Sequence, residues 1–460
     1  MDSNKRIFED MPVWQALSTL AVPTIIAQLV TLVYNLADTY YIGRTGNPYM
    51  VAAAALVLPV YSISIAVSNL VGTGGGTLIS RLLGAKREDE ARKVAAFGFY
   101  MAILLAAAYS LICFIIMRPM LLMLGASENT LLYATQYADY VIVVGGIPTV
   151  LSLTMSNYLR SVGCAKQAGF GISMGGILNI GLDPLFMFVI LPKGLEVTGA
   201  AVATMLSNVA AMCYFFVVIS KMSKTTVLSF RTNLGMPEKQ SVKAIFAVGI
   251  PAALTTFLYD VTNIVINKLS SGHGDIDVAA IGIVLKAERL PLNIGVGICQ
   301  GMMPLAAYNY SRGNYHRMRK TLHTARFAGL ACSGISIVLY ELFAAQIMRL
   351  FIDNAETVRL GTHFIHARCL AAPCMFMCFN FVFFFQAVGM GDKSLILAII
   401  RQLCFNIPIL LIMNGLFGMD GIIWTQLIAD GCTAAVSFAV YLQVEKKVLR
   451  PQEQAAAGGI

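Results

Sequence analysis

Asp38 stands inside an apolar run. Residues 20–46 read LAVPTIIAQLVTLVYNLADTYYIGRTG, long enough as a helix to cross a bilayer, with Pro23 near the start and the carboxylate well inside the apolar part. An ionised Asp at the bilayer centre costs about 2.5–3.5 kcal/mol on insertion scales. A chain that keeps one there is expected to use it, holding a proton or a metal cation. Other polar groups at similar depth are candidates for contact with a small molecule: Tyr34, Tyr140, Asp260 and the charged cluster Lys286, Glu288 and Arg289. The cluster also reads as a self-neutralising group. The run CMFMCFNFVFFFQ at 374–386 offers Met375 and Phe379 as adaptable lining, with lipid-facing packing as the plainer reading. Asp139 and Asp430 are as readily structural as functional.

The elements that must carry these groups follow from composition. Of 460 residues, 57% are hydrophobic and 12% charged, where soluble domains carry about 25% charged residues. Mean hydropathy is +0.72. Apolar runs of roughly 20 residues, enough to span a hydrocarbon core about 30 Å thick, recur along the chain without period-two alternation. The fold class is an all-α polytopic membrane protein of twelve transmembrane helices. We place these at 14–41, 52–83, 92–117, 129–161, 167–191, 198–221, 240–268, 278–311, 319–346, 358–388, 395–415 and 420–445.

Loop charge sets an expected orientation. Lys5 and Arg6, the bases of 81–93, Arg160 and Lys166, those of 221–243 and 312–326, Lys393 and Arg401, and Lys446, Lys447 and Arg450 all fall on one side. The other side has Arg44, Arg118, Lys193, Lys268, Arg349 and Arg359. The positive-inside rule then puts both termini in the cytoplasm and the chain in the cell membrane, its net charge of +9 serving topology rather than nucleic acid. The ten cysteines lack metal-type spacing and read as helix packing, and the five histidines show no ligand pattern.

The chain is written twice. Ala-Val-Pro at 21–23 returns as Gly-Ile-Pro at 249–251, and Tyr34-Asn35 as Thr262-Asn263, 228 residues on. VAAAALVLPV at 51–60 matches VAAIGIVLKA at 278–287, and GAKREDEARK at 84–93 matches SRGNYHRMRK at 311–320. Ile266 stands where the first copy has Asp38. Six spans per copy give parallel repeats, related by an axis along the membrane normal, an architecture of transporters. The expected organisation is a first lobe over 1–221, a cytoplasmic linker at 222–240, a second lobe over 241–445 and a tail at 446–460.

Several segments together resemble the multidrug and toxic compound extrusion (MATE) family of the multidrug/oligosaccharidyl-lipid/polysaccharide flippase superfamily. They are DTYYIG at 38–43, GGGTLISRLLG at 74–84, LDPL at 182–185, GAAVAT at 199–204, and QGMMPL at 300–305 with YNY at 308–310. The resemblance implies two pseudo-symmetric six-helix lobes around a central cavity. It also implies antiport of organic cations or drugs against H⁺ or Na⁺, with the lipid bilayer as surroundings, no nucleic-acid partner and a single chain as the working unit. One branch of the family builds its cation site in the first lobe. The matching positions are Asp38, Asn179, Asp183 and Thr204, with Na⁺ as a candidate metal. Asn179 and Asp183 are four apart, hence on one helix face, and Pro184 frees a backbone carbonyl nearby. Two carboxylates in a low-dielectric lobe cannot both ionise cheaply, so a proton or Na⁺ would relieve the same cost. Another branch uses acids on helices seven and ten; here Asp260 is present on seven, but ten has none.

Other functions fit less well. A lipid-linked sugar flippase would be expected to line its cavity with several bases for a pyrophosphate; Lys286 and Arg289 are the few on offer. Gly72 to Gly76 is followed by no Lys-Ser/Thr pair, no Walker motif exists, and no Gly-x-Ser-x-Gly or metal-spaced His/Glu set lies at membrane depth. The chain is not expected to be an enzyme or to carry a cofactor beyond its coupling ion.

Overall fold

The structure, a computed structural model, describes residues 2–458. Among them there is no strand. The helices are α1 (Asp2–Glu9), α2 (Val13–Gly43), α3 (Pro48–Gly84), α4 (Glu88–Met123), α5 (Glu128–Ala138), α6 (Gly146–Ser161), α7 (Ala165–Leu185) and α8 (Glu196–Met222). The second half has α9 (Lys239–Ser270), α10 (Asp275–Ser311), α11 (Tyr315–Arg349), α12 (Ala355–Cys369), α13 (Ala372–Ala387), α14 (Gly391–Ile399), α15 (Ile407–Val444) and α16 (Arg450–Gly458).

Twelve crossings emerge once three breaks are understood. α5 and α6 form one span bent by 48° at a wide π-type turn, Asp139–Val144, and α12 and α13 another bent by 48°. The third break is Gly418, whose φ of +59° turns the chain back on itself within α15. Arg401 and Asp430, on either side of it, are ion-paired, whereas an unbroken helix would hold them about 40 Å apart at 1.5 Å per residue. Expected and observed spans agree to within six residues at their ends. The sequence reading did not anticipate α1, which is polar and only eight residues long.

The helices α2–α8 pack as one lobe and α9–α15 as the other, joined mainly where α3 meets α9 and α10 meets α2 and α3. Backbones touch at these joints. A Cβ on Gly249 would lie 1.8 Å from the Leu70 carbonyl oxygen, and one on Gly301 would lie 2.6 Å from the Ala21 Cα. Both contacts belong to the half of the molecule nearest the N-terminus, so the lobes are shut on that side. α1 reinforces the closure: Phe8 stacks on Tyr308 at 4.8 Å, Glu9 pairs with Arg312 at 3.1 Å, and Arg317 donates to the Phe8 and Met11 carbonyls. On the far side, among the described residues, no hydrogen bond or ion pair is seen between 30–60 and 262–290.

The stretch between α8 and α9 is docked rather than loose. Val227 and Leu228 are buried, Phe230 packs on Phe99, and Tyr100 donates to the Phe230 carbonyl. Glu90 of α4 accepts from the Glu238 amide at 2.8 Å and the Ser241 hydroxyl at 2.7 Å, which satisfies donors at the start of α9.

Candidate functional site

Asn179 and Asp183 sit one turn apart on α7, and the Asn179 amide nitrogen donates to Asp183 Oδ1 at 3.1 Å and to Thr204 Oγ1 of α8 at 3.2 Å. Both are buried, Asp183 completely. Asp38 approaches from α2, close enough for the two carboxylates to feel each other's charge, and accepts from the Tyr137 hydroxyl at 3.4 Å. Among the described residues neither acid has an ion-pair partner. Three oxygens in this group are buried without a hydrogen bond: Asp38 Oδ1, Asp183 Oδ2 and Asn179 Oδ1. Unmet acceptors of this kind are costly in a protein interior. An all-oxygen set with two carboxylates suits a hard cation, and a proton on either acid would meet part of the same need.

Next to this group lies a side cavity of about 250 Å³ within the first lobe. Tyr34, Asn35, Asn179, Thr204 and Asn208 line it. Tyr61 faces the same space as Tyr34, and Asn208 donates to Thr149 at 2.9 Å. A second cavity of about 340 Å³ runs between the lobes. Its walls include Ser62, Asn69, Asp260, Arg289 and Phe379. The two cavities share Ile65, Asn69, Asn157, Arg160 and Gln300 as a common wall.

The structure sorts the remaining sequence candidates. Tyr34 lines the side cavity, and Asp260, Arg289 and Phe379 line the central one. Lys286, Glu288 and Arg289 do not neutralise one another as a cluster: Glu288 is paired with the buried Arg368 at 2.8 Å, Lys286 is exposed outside both cavities, and only Arg289 faces inward. Glu288, two residues from Lys286 and one from Arg289, faces away from both. Met375 is buried behind Phe379 rather than exposed to the cavity, and Tyr140 is on the surface. Sequence reasoning missed Arg160 and Gln300, which sit at the junction of the cavities. Loop charge groups Arg160 and Arg401 with the bases outside the spans, yet Arg401 is buried against Asp430. A base at the end of an apolar run can snorkel outward or fold inward, and the run itself carries no signal that separates the two.

The family model MatE matches residues 23–185 and 251–412, two stretches that begin at the paired prolines of the repeat. This chain belongs to the MatE family. Among curated relatives it is similar to the multidrug export protein MepA of Staphylococcus saprophyticus, at 30% identity over 96% of both chains. It is also similar to MepA of Staphylococcus aureus, at 32% identity over the same share of each. Its fold matches a MATE crystallised with MaL6, with TM-score 0.91, 22% identity and coverage of 98% of this chain and 100% of that one. An outward-facing multidrug resistance MATE transporter gives TM-score 0.91 at 23% identity, with 98% and 99% covered. As a MatE protein the chain is a multi-span membrane transporter of two six-helix lobes.

Proposed function

We propose that this MatE protein exports drugs and other small organic molecules across the cell membrane in exchange for entering H⁺ or Na⁺, and that it is not an enzyme. The observation that carries this reading is the group of three unmet oxygens on Asp38, Asn179 and Asp183, set in a lobe whose side cavity abuts the central one. A cation taken up there would remove the repulsion between Asp38 and Asp183 and draw α2 toward α7. Tyr34, on the same helix as Asp38, lines the side cavity, so that movement would reshape the space available to a bound molecule. Antiport requires such a link: the ion must favour a state with weakened substrate affinity, or the two gradients would run independently. The termini are assigned to the cytoplasm by loop charge, which puts the closed joint between the lobes on the cytoplasmic side, the loading side of an exporter.

A lipid-linked sugar flippase is the competing use of such a fold. The central cavity has two arginines, Arg160 and Arg289, and Asp260 lies close enough to Arg289 to offset it. That leaves too little positive charge for a pyrophosphate. Purified protein in vesicles, given a fluorescent drug and an imposed ΔpH or ΔNa⁺, tests the reading. Extrusion that follows one gradient and collapses with an ionophore supports it; movement of drug independent of both gradients overturns it.

A further inference from the structure

Arg160 is the unbalanced charge of the central cavity. It comes off the last turn of α6 and lines both cavities where they meet. Its guanidinium donates to the Gln300 side-chain oxygen at 2.7 Å and to the Asn157 side-chain oxygen at 2.9 Å. No carboxylate pairs with it among the described residues. Gln300 comes from the opposite lobe, and its oxygen also accepts from Gln28 at 3.3 Å. Amide dipoles therefore hold the cation in place while leaving its charge uncompensated. A planar guanidinium has five donors, and these two bonds use only part of that capacity.

The other charged groups lining the cavity cancel. Asp260 is within electrostatic reach of Arg289. The side cavity adds no further charged wall residue. A simple organic cation entering this space would thus meet one carboxylate offset by Arg289 and one arginine without a counter-charge. The field at the shared wall favours the opposite sign. We propose that Arg160 is a binding subsite for an acidic group of the transported molecule, a carboxylate or sulfonate, so that the cavity prefers amphoteric molecules to simple cations of the same shape. The idea rests on the export reading for its biological meaning, but the subsite itself is a matter of equilibrium binding. Bidentate geometry suits a carboxylate, and the charge-assisted bonds would replace weaker ones to Gln300 and Asn157. Because Gln300 belongs to the other lobe, an acid group that draws Arg160 away from it would loosen one of the bonds holding the lobes shut.

Rhodamine B has a free carboxylate, and its ethyl ester is the same dye as a plain cation. Their dissociation constants can be measured by fluorescence anisotropy on the full-length protein in nanodiscs, in low-salt Tris chloride buffer free of carboxylate and sulfonate anions, with empty nanodiscs subtracted. The wild type is expected to bind rhodamine B about tenfold more tightly than the ester, the size of effect that a charge-assisted hydrogen bond gives. Arg160→Gln, which keeps hydrogen-bonding capacity, is expected to bring that ratio near one, and Arg160→Lys to keep a preference for the acid. A wild type that binds the ester as tightly as the acid overturns the proposal without any variant. So does an Arg160→Gln protein in which both dyes weaken equally, since that would make Arg160 a gate contact only. The measurement uses no gradient, so a failure of driven extrusion in vesicles would count against the export reading and leave this ratio unaffected.

Discussion

The Arg401 guanidinium holds both carboxylate oxygens of Asp430, at 2.7 and 3.1 Å, in the lobe that has Ile266 where the other has Asp38. Gln426 adds a third bond to Asp430 at 2.6 Å, and Phe379 covers the guanidinium at 4.6 Å. The second lobe thus answers its buried acid with a tethered cation, whereas the first leaves its acids open. Removing one partner of such a pair costs about 3–5 kcal/mol, because the other stays buried and charged. Asp430→Asn is therefore expected to lower the melting temperature and the folded yield. Arg401→Met combined with Asp430→Leu should recover most of the loss. Fluorescence-detected size exclusion after heating measures both, and a double variant less stable than the single would contradict the account.

Glu90 gives a second stability test. Its carboxylate is buried and accepts the Glu238 amide and the Ser241 hydroxyl. Glu90→Ala leaves those donors without a partner at a cost of about 1–3 kcal/mol, concentrated where the stretch after α8 joins α9. Limited proteolysis between residues 223 and 238 should speed up several-fold, with the spans left intact. Unchanged cleavage would mean that the packing of Val227, Leu228 and Phe230 alone holds this segment.

Gly249 tests the closed joint between lobes. The space between its Cα and the Leu70 carbonyl has no room for a methyl group. Gly249→Val is expected to force α3 and α9 apart on the terminal side. Ser80, fully buried at the base of the cavity, can be replaced by cysteine to report this. Thiol labelling of Ser80→Cys from the terminal side should rise at least severalfold when Gly249→Val is added. Equal labelling in both backgrounds would show that the contact does not set the conformation.

Fold and site were not equally legible. Continuous apolar runs with basic loops on alternate sides gave twelve spans and two lobes, because bilayer thickness dictates span length whatever the side chains do. The gap left between the spans 395–415 and 420–445 contains Gly418, where the chain turns back. The joining of Asp38 to Asn179 and Asp183 came through resemblance; periodicity alone placed only Asn179 and Asp183 on one face. Lys286, Glu288 and Arg289 show where local reading stops. Their helix could be placed, but not its rotation, and rotation decides that Glu288 meets Arg368 while Arg289 meets the cavity. Arg160 and Arg401 failed for a related reason, since a long base at a span end reaches water or the interior with equal ease, and only tertiary packing chooses.

Asp38 is the residue on which coupling turns. Its Oδ1 has no hydrogen-bond partner and its Oδ2 has only the long bond from Tyr137, so the anion is poorly supported by the protein itself. Asp183 has one bond from Asn179 and its other oxygen unmet. An ion that binds here should stabilise the folded protein by mass action, about 2.7 kcal/mol at a hundred times its dissociation constant. Exchanging choline for Na⁺ at constant ionic strength is expected to raise the melting temperature if Na⁺ is the coupling ion, and lowering the pH at fixed salt is expected to do so if it is H⁺. Asp38→Asn keeps the shape while fixing the group in a neutral form. It should still insert and fold, lose whichever of the two shifts the wild type shows, and reduce gradient-driven dye extrusion to background. Asp183→Asn should do the same to an equal or smaller degree. If Asp38→Asn extrudes dye at close to the wild-type rate under an imposed gradient, coupling does not pass through the first lobe, and Asp260 with Arg289 in the central cavity becomes the site to test.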